Sequence, residues 1–306
     1  MRVEGMRDVE SRIGQASQRR AHASTIARSR TICDRRVVPA HLHHELVARS
    51  DAQPTAWIVL THGIFGTGGN WRGIARKLVN AMPAWGVILV DLRVHGRSEV
   101  GSPPHTIAAC AQDLVALVAQ LELPVRVLAG HSFGGKVVLA ARSMLDVAQT
   151  WMLDSSPSVR TGLSETSDDA AAVLALLERL PTTWPSRDAF VKAVVAERHR
   201  EPFAQWLAMN VEPVAEGFAL RFDLVALRAL FTDFGVTDGW PAALDPTRGD
   251  LELVIADRGG VYTEDDLAKL AAPPPHVHVH RIDAGHWLHV EAADQMVALL
   301  ASRLPG

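Results

Sequence analysis

The chain has 306 residues, of which 48% are hydrophobic, 21% charged and 6% aromatic, which excludes collagenous, disordered and disulfide-built classes. Thirty-one basic side chains stand against 34 acidic ones, a net charge of −3, so no overall field draws nucleic acid or an anionic membrane. Two cysteines, Cys33 and Cys110, build neither a disulfide framework nor a zinc module and suit a reducing compartment, so the expected location is cytoplasmic.

The charge is unevenly spread. Residues 1–36 carry nine arginines against four acids, and 1–38 read as a disordered, Arg-rich tail. Glu4, Asp8 and Glu10 run against a transit peptide, and no apolar signal core follows.

From about residue 40, short apolar runs alternate with longer segments of helical period, the pattern of an α/β protein with a mostly parallel sheet covered by helices. Strands are expected at 56–61, 87–91, 125–130, 150–154 and 251–256, each near-continuously apolar because a parallel strand is buried on both faces. A more alternating strand is expected at 276–282. Helices are expected at 71–82, 107–121, 135–147 and 291–304. Residues 162–245 hold helical blocks punctuated by Pro181, Pro185, Pro202 and Pro213 and read as an inserted helical lid. The core is then 39–161 together with 246–306.

The strongest chemical signal is Gly130-His131-Ser132-Phe133-Gly134-Gly135, set between an expected strand and an expected helix. A serine at the apex of such a turn is held in a strained conformation with its hydroxyl exposed, and flanking glycines keep Cβ atoms out of the neighbouring strand and helix. A hydroxyl is a weak nucleophile at neutral pH, so Ser132 requires a histidine base on a loop late in the chain. His286, directly after Gly285, is placed ahead of His289, which falls at the start of the last helix. The base needs a carboxylate to fix its tautomer, and the order Ser…Asp…His admits Asp154 and its rival Asp257, each ending a strand. Order alone does not choose between them.

The oxyanion hole needs two backbone N–H groups. One is that of Phe133, and the other comes from the early loop Thr61-His62-Gly63-Ile64-Phe65-Gly66, through Ile64 ahead of Phe65. No phosphate-binding glycine motif is present. His131, Trp206, Met209 and Trp287 are expected to contact substrate. Two histidine clusters, His41/His43/His44 and His276/His278/His280, have no carboxylate or cysteine spaced to complete a metal site and read as solvated edge strands.

Four blocks in order, His62-Gly63-Ile64-Phe65-Gly66 with Asn70-Trp71-Arg72, Asp91-Leu92-Arg93-Val94-His95-Gly96-Arg97-Ser98, Gly130 to Lys136, and Ala284-Gly285-His286-Trp287, give residues 40–304 their family character. They resemble the α/β-hydrolases, in particular the YbfF-type serine esterases and their mitochondrial relatives. The resemblance implies that Asp154 serves the histidine. It also implies a Ser-Asp pair after the next strand, and Asp257-Arg258-Gly259-Gly260-Val261 departs from that, which weakens Asp257. Serine at the elbow sets the chain apart from the relatives that use aspartate or cysteine as nucleophile. The expected function is a serine hydrolase cleaving a carboxylic ester or thioester through an acyl-enzyme. It needs no cofactor and no metal, acts on a small acyl substrate, and is a monomer or homodimer. The alternatives are a C–C bond hydrolase or lyase on the same fold, or a ligand-binding receptor that retains the site.

Overall fold

The six expected strands all form, and they make one sheet. The computed structural model describes residues 38–160 and 170–305; the tail reading, Cys33 and the start of the insertion lie outside the described residues. The core strands are β2 (Ala56–Thr61), β3 (Trp85–Val90), β4 (Val125–His131) and β5 (Gln149–Leu153). Two more, β9 (Asp250–Ala256) and β10 (Val277–Ile282), follow the insertion. The edge strand expected at the first histidine cluster is β1 (His44–Val47), which runs antiparallel to β3. The order is β1-β3-β2-β4-β5-β9-β10, parallel from β3 to β10. Every residue of β2, β3 and β5 is buried, as expected of strands covered on both faces.

Helices α1 (Arg72–Ala81) and α11 (Ala293–Arg303) cover one face, packing Ile74, Leu78, Met296 and Leu300 against it. On the other face lie α2 (Ile107–Leu121) and α3 (Phe133–Ala141). Thr106 caps α2 by accepting the Ala109 N–H at 3.1 Å, offsetting one of the unpaired donors of the first turn. The helix expected at 135–147 begins two residues earlier and stops at Ala141. Arg142 instead turns inward, donating to the carbonyls of Ala242 and Gly249, and the chain bends into β5. Arg93 and Asp113 form a fully buried bidentate pair at 2.5 and 2.7 Å.

The insertion carries the expected helices and, besides them, three short strands. It contains α4 (Ala170–Arg179), β6 (Thr183–Trp184), α5 (Arg187–Ala196), α6 (Glu201–Leu207), β7 (Val211–Val214), β8 (Gly217–Leu220) and α7 (Leu224–Val236). The three short strands form an antiparallel sheet, β6-β8-β7. Strands of two to four residues are too short to show a period-two pattern, so the helical blocks around them dominate the sequence signal. Both stems of the insertion are fixed to α3: the Lys136 ammonium donates to the carbonyls of Ser158, Phe234 and Thr237 at 2.7–2.9 Å. After α7 come α8 (Trp240–Ala243), α9 (Glu264–Lys269) and α10 (Leu288–Glu291). Among the described residues no helix is long and apolar enough to cross a membrane.

Candidate active site

Ser132 stands between β4 and α3 with φ +52°, a conformation that a non-glycine residue adopts only when its surroundings impose it. They do so by close packing. A Cβ at Gly130 would lie 2.2 Å from the Gly134 carbonyl oxygen, and one at Gly134 would lie 2.5 Å from that of His62. The Ser132 carbonyl is held from beneath by the Gly135 N–H at 2.9 Å and the Ser155 hydroxyl at 2.7 Å. Tyr262 in turn donates to the Ser155 carbonyl at 2.7 Å.

Asp154 follows β5 and is fully buried, with φ +44°. Its Oδ2 accepts from His286 Nδ1 at 2.7 Å, and its Oδ1 accepts the Ala256 N–H at 3.0 Å. The first bond fixes the imidazole as the Nδ1–H tautomer, leaving Nε2 free to take a proton. The rival, Asp257, is engaged elsewhere: its carboxylate is held by Arg281 at 2.6–2.8 Å, in an exposed position just past the end of β9. Ser132 and His286 line the same cavity, of ≈ 840 Å³; no direct hydrogen bond joins their side chains among the described residues.

Four further histidines crowd this site. His62, His95 and His131 are buried, and His289 lies on α10 with its ring 5.1 Å from that of Trp71. Burial lowers all four, His95 to about 3 and His289 to about 4, and the neighbouring imidazoles push the same way for His95, His131 and His289. They are therefore neutral near pH 7. His131, expected to touch substrate, does line the cavity, and its Nε2 also donates to the His286 carbonyl at 2.8 Å. His62 Nε2 accepts the Leu92 N–H at 3.0 Å, so its Nδ1 carries the proton it donates to the Gly63 carbonyl at 2.7 Å.

Ile64 and Phe133, the expected oxyanion donors, both line the cavity. Among the described residues neither of their N–H groups donates to a protein acceptor, leaving both available to a ligand. Phe65 lines it too, with φ +62°. The Asp91 carboxylate braces this loop by accepting the Gly68 N–H at 2.8 Å and the Arg97 N–H at 2.9 Å.

Trp206 and Trp287 meet edge to face at 4.5 Å on the cavity wall, near Phe203, Phe231 and Phe234. Met209 does not belong with them. It is 55% exposed and off the wall, because it falls in the single turn of 3-10 helix after α6, where helical spacing from Trp206 no longer holds. Sequence reasoning also missed that β9 carries carboxylates beside the second histidine cluster. Asp250, Glu252 and His278 bring ligand atoms within 4.8 Å of one another, through parallel register between β9 and β10. Glu252, however, is engaged by His280 at 2.5 Å and Arg303 at 2.9 Å, and a guanidinium so placed opposes a bound cation.

Comparison with known proteins identifies the family. The family model described as alpha/beta hydrolase family matches residues 58–299. The sn-1-specific diacylglycerol lipase ABHD11 of Danio rerio is 28% identical over 265 residues, 83% of this chain and 79% of its own. Esterase YbfF of Escherichia coli (strain K12) is 29% identical over 244 residues, 78% of this chain and 89% of its own. A marine microorganism esterase superposes with a TM-score of 0.74 at 20% identity, covering 87% of this chain and all (100%) of that one. The chain is an enzyme of the alpha/beta hydrolase family, with the YbfF-type esterases and ABHD11 among its relatives.

Proposed function

We propose that the enzyme is a serine hydrolase that cleaves a carboxylic ester, or a thioester, of a small acyl substrate through an acyl-enzyme. The observation that carries this reading is the 2.7 Å pair between Asp154 and His286 on the same cavity as Ser132. His286 Nε2 removes the proton from Ser132 as Oγ attacks the carbonyl, and the Ile64 and Phe133 N–H groups receive the developing oxyanion. Buried Asp154 holds the ring and stabilises the imidazolium without taking the proton. His286 then protonates the departing alcohol or thiol, water deprotonated by the same ring attacks the acyl-enzyme, and the acid leaves. Neutral His131 and His289 matter here, since a cation at either place would oppose the imidazolium.

The aromatic wall supports an apolar acyl group, in keeping with relatives named esterase and lipase. The free, buried thiol of Cys110 suits a reducing compartment, and the cytoplasm is where we place the enzyme. A series of p-nitrophenyl esters tests the reading. Turnover of at least one acyl length, abolished in Ser132→Ala, is expected; no turnover at any length would move the assignment to C–C bond cleavage or to a receptor role.

A further inference from the structure

Phe65 is gripped by two residues of the insertion, 145 and 157 positions away. The Asn210 Nδ2 donates to the Phe65 carbonyl at 2.9 Å, and the Phe222 ring meets the Phe65 ring edge-on at 6.0 Å. Asn210 is 2% exposed, and its backbone is fixed by the Arg221 N–H, which donates to the Asn210 carbonyl at 2.9 Å. Its side-chain Oδ1 has no partner among the described residues. The same Nδ2 also reaches the Leu207 carbonyl at 3.4 Å, a longer contact than the bond to Phe65.

The bond falls on a strained turn. The Gly66 N–H closes it onto the Gly63 carbonyl at 3.0 Å, with Ile64 and Phe65 as its central residues. A positive φ at the third position is the mark of a type II turn, where glycine or asparagine is usual; here phenylalanine adopts it at +62°. The competing type I turn relieves that strain by flipping the 64–65 peptide through about 180°. Such a flip reverses a dipole beside the Ile64 N–H.

We infer that Asn210 is a positioning residue that ties the insertion to the oxyanion loop, holding the 63–66 turn, which carries the Ile64 and Phe65 N–H groups, in its observed conformation. Seating of the insertion is thereby a condition for stabilising the oxyanion. The inference rests on the proposed serine-hydrolase reading and adds to it a residue outside the triad and the hole.

The test compares wild type with Asn210→Leu, of similar volume but without the donor, and with Asn210→Ser, small enough for the site should the leucine variant not fold. Four quantities are measured: kcat and KM on a p-nitrophenyl ester, inhibition by phenylboronic acid, which forms a tetrahedral adduct on serine, and the melting temperature. Removing an oxyanion donor costs roughly 10²–10³ in kcat, and loss of its support is expected to cost about 10–100-fold. Boronate affinity should fall by a similar factor, with KM within about threefold. In a Phe65→Gly background, where the positive φ carries no strain, replacing Asn210 should cost several-fold less. Unchanged kcat and boronate affinity in both variants would overturn the inference, as would an equal loss with and without Phe65→Gly. A wild type that neither turns over esters nor takes a fluorophosphonate would instead refute the underlying hydrolase reading, so the two failures are distinct.

Discussion

The Asp154 carboxylate occupies the space that a side chain at Gly259 would need. A Cβ there would lie 2.2 Å from Oδ2, the oxygen that accepts from His286. Gly259→Ala therefore pushes the acid off its histidine. Misplacement of a catalytic group by about 1 Å costs on the order of 10²-fold in rate, and kcat should fall by that amount. Gly260→Ala is the control. Its φ of +65° is strained for alanine but the space is open, so the melting temperature should drop slightly with kcat unchanged. Steady-state kinetics and thermal melts on the two variants check both statements; equal kcat in the pair would contradict them.

Asp154→Asn keeps the shape of the acid and removes its charge, and should lower kcat roughly 10³–10⁴-fold. Asp257→Asn loosens only the exposed contact with Arg281 and should change kcat less than about tenfold. The comparison is read from kcat on one ester under saturating substrate. The reverse ranking would assign the acid to the neighbouring strand.

How much of this could be read beforehand follows from the range of the interactions involved. The strand 56–61 was legible to the residue because burial on both faces writes itself as an unbroken apolar run. Ser132 was legible because its turn is local, a strand, a strained residue and glycines within six positions. Asp154 and Asp257 looked alike because the difference lies in what each meets across the sheet, His286 in one case and Arg281 in the other. Asn210, Gly259 and Tyr262 act through contacts more than a hundred residues distant in sequence, and nothing local distinguishes them. Met209 differs from Trp206 because α6 ends at Leu207, and the 3-10 turn that follows leaves its side chain exposed.

The buried histidines and half-buried His289 should make the fold sensitive to acid. Each has a folded pKa below its ordinary value of 6.5, His289 at about 4 and His95 at about 3, with His62 and His131 lowered as well. The unfolded chain therefore takes up protons that the folded chain refuses. Stability falls as pH drops from 6.5 through the folded values, by up to about 1.4 kcal/mol per pH unit for each histidine. Melting temperature against pH should decline steeply from 6.5 to about 4, and His289→Gln should flatten that slope. A flat profile over the window would contradict the neutral, buried assignment.

The most direct measurement is the mass of the enzyme during turnover. Quenching in acid within milliseconds of mixing with a p-nitrophenyl ester should give a species heavier by one acyl group, with the added mass on the peptide that contains Ser132, and none in Ser132→Ala. An acyl group found on another residue, or product released from an enzyme that never gains mass, would contradict the acyl-enzyme account.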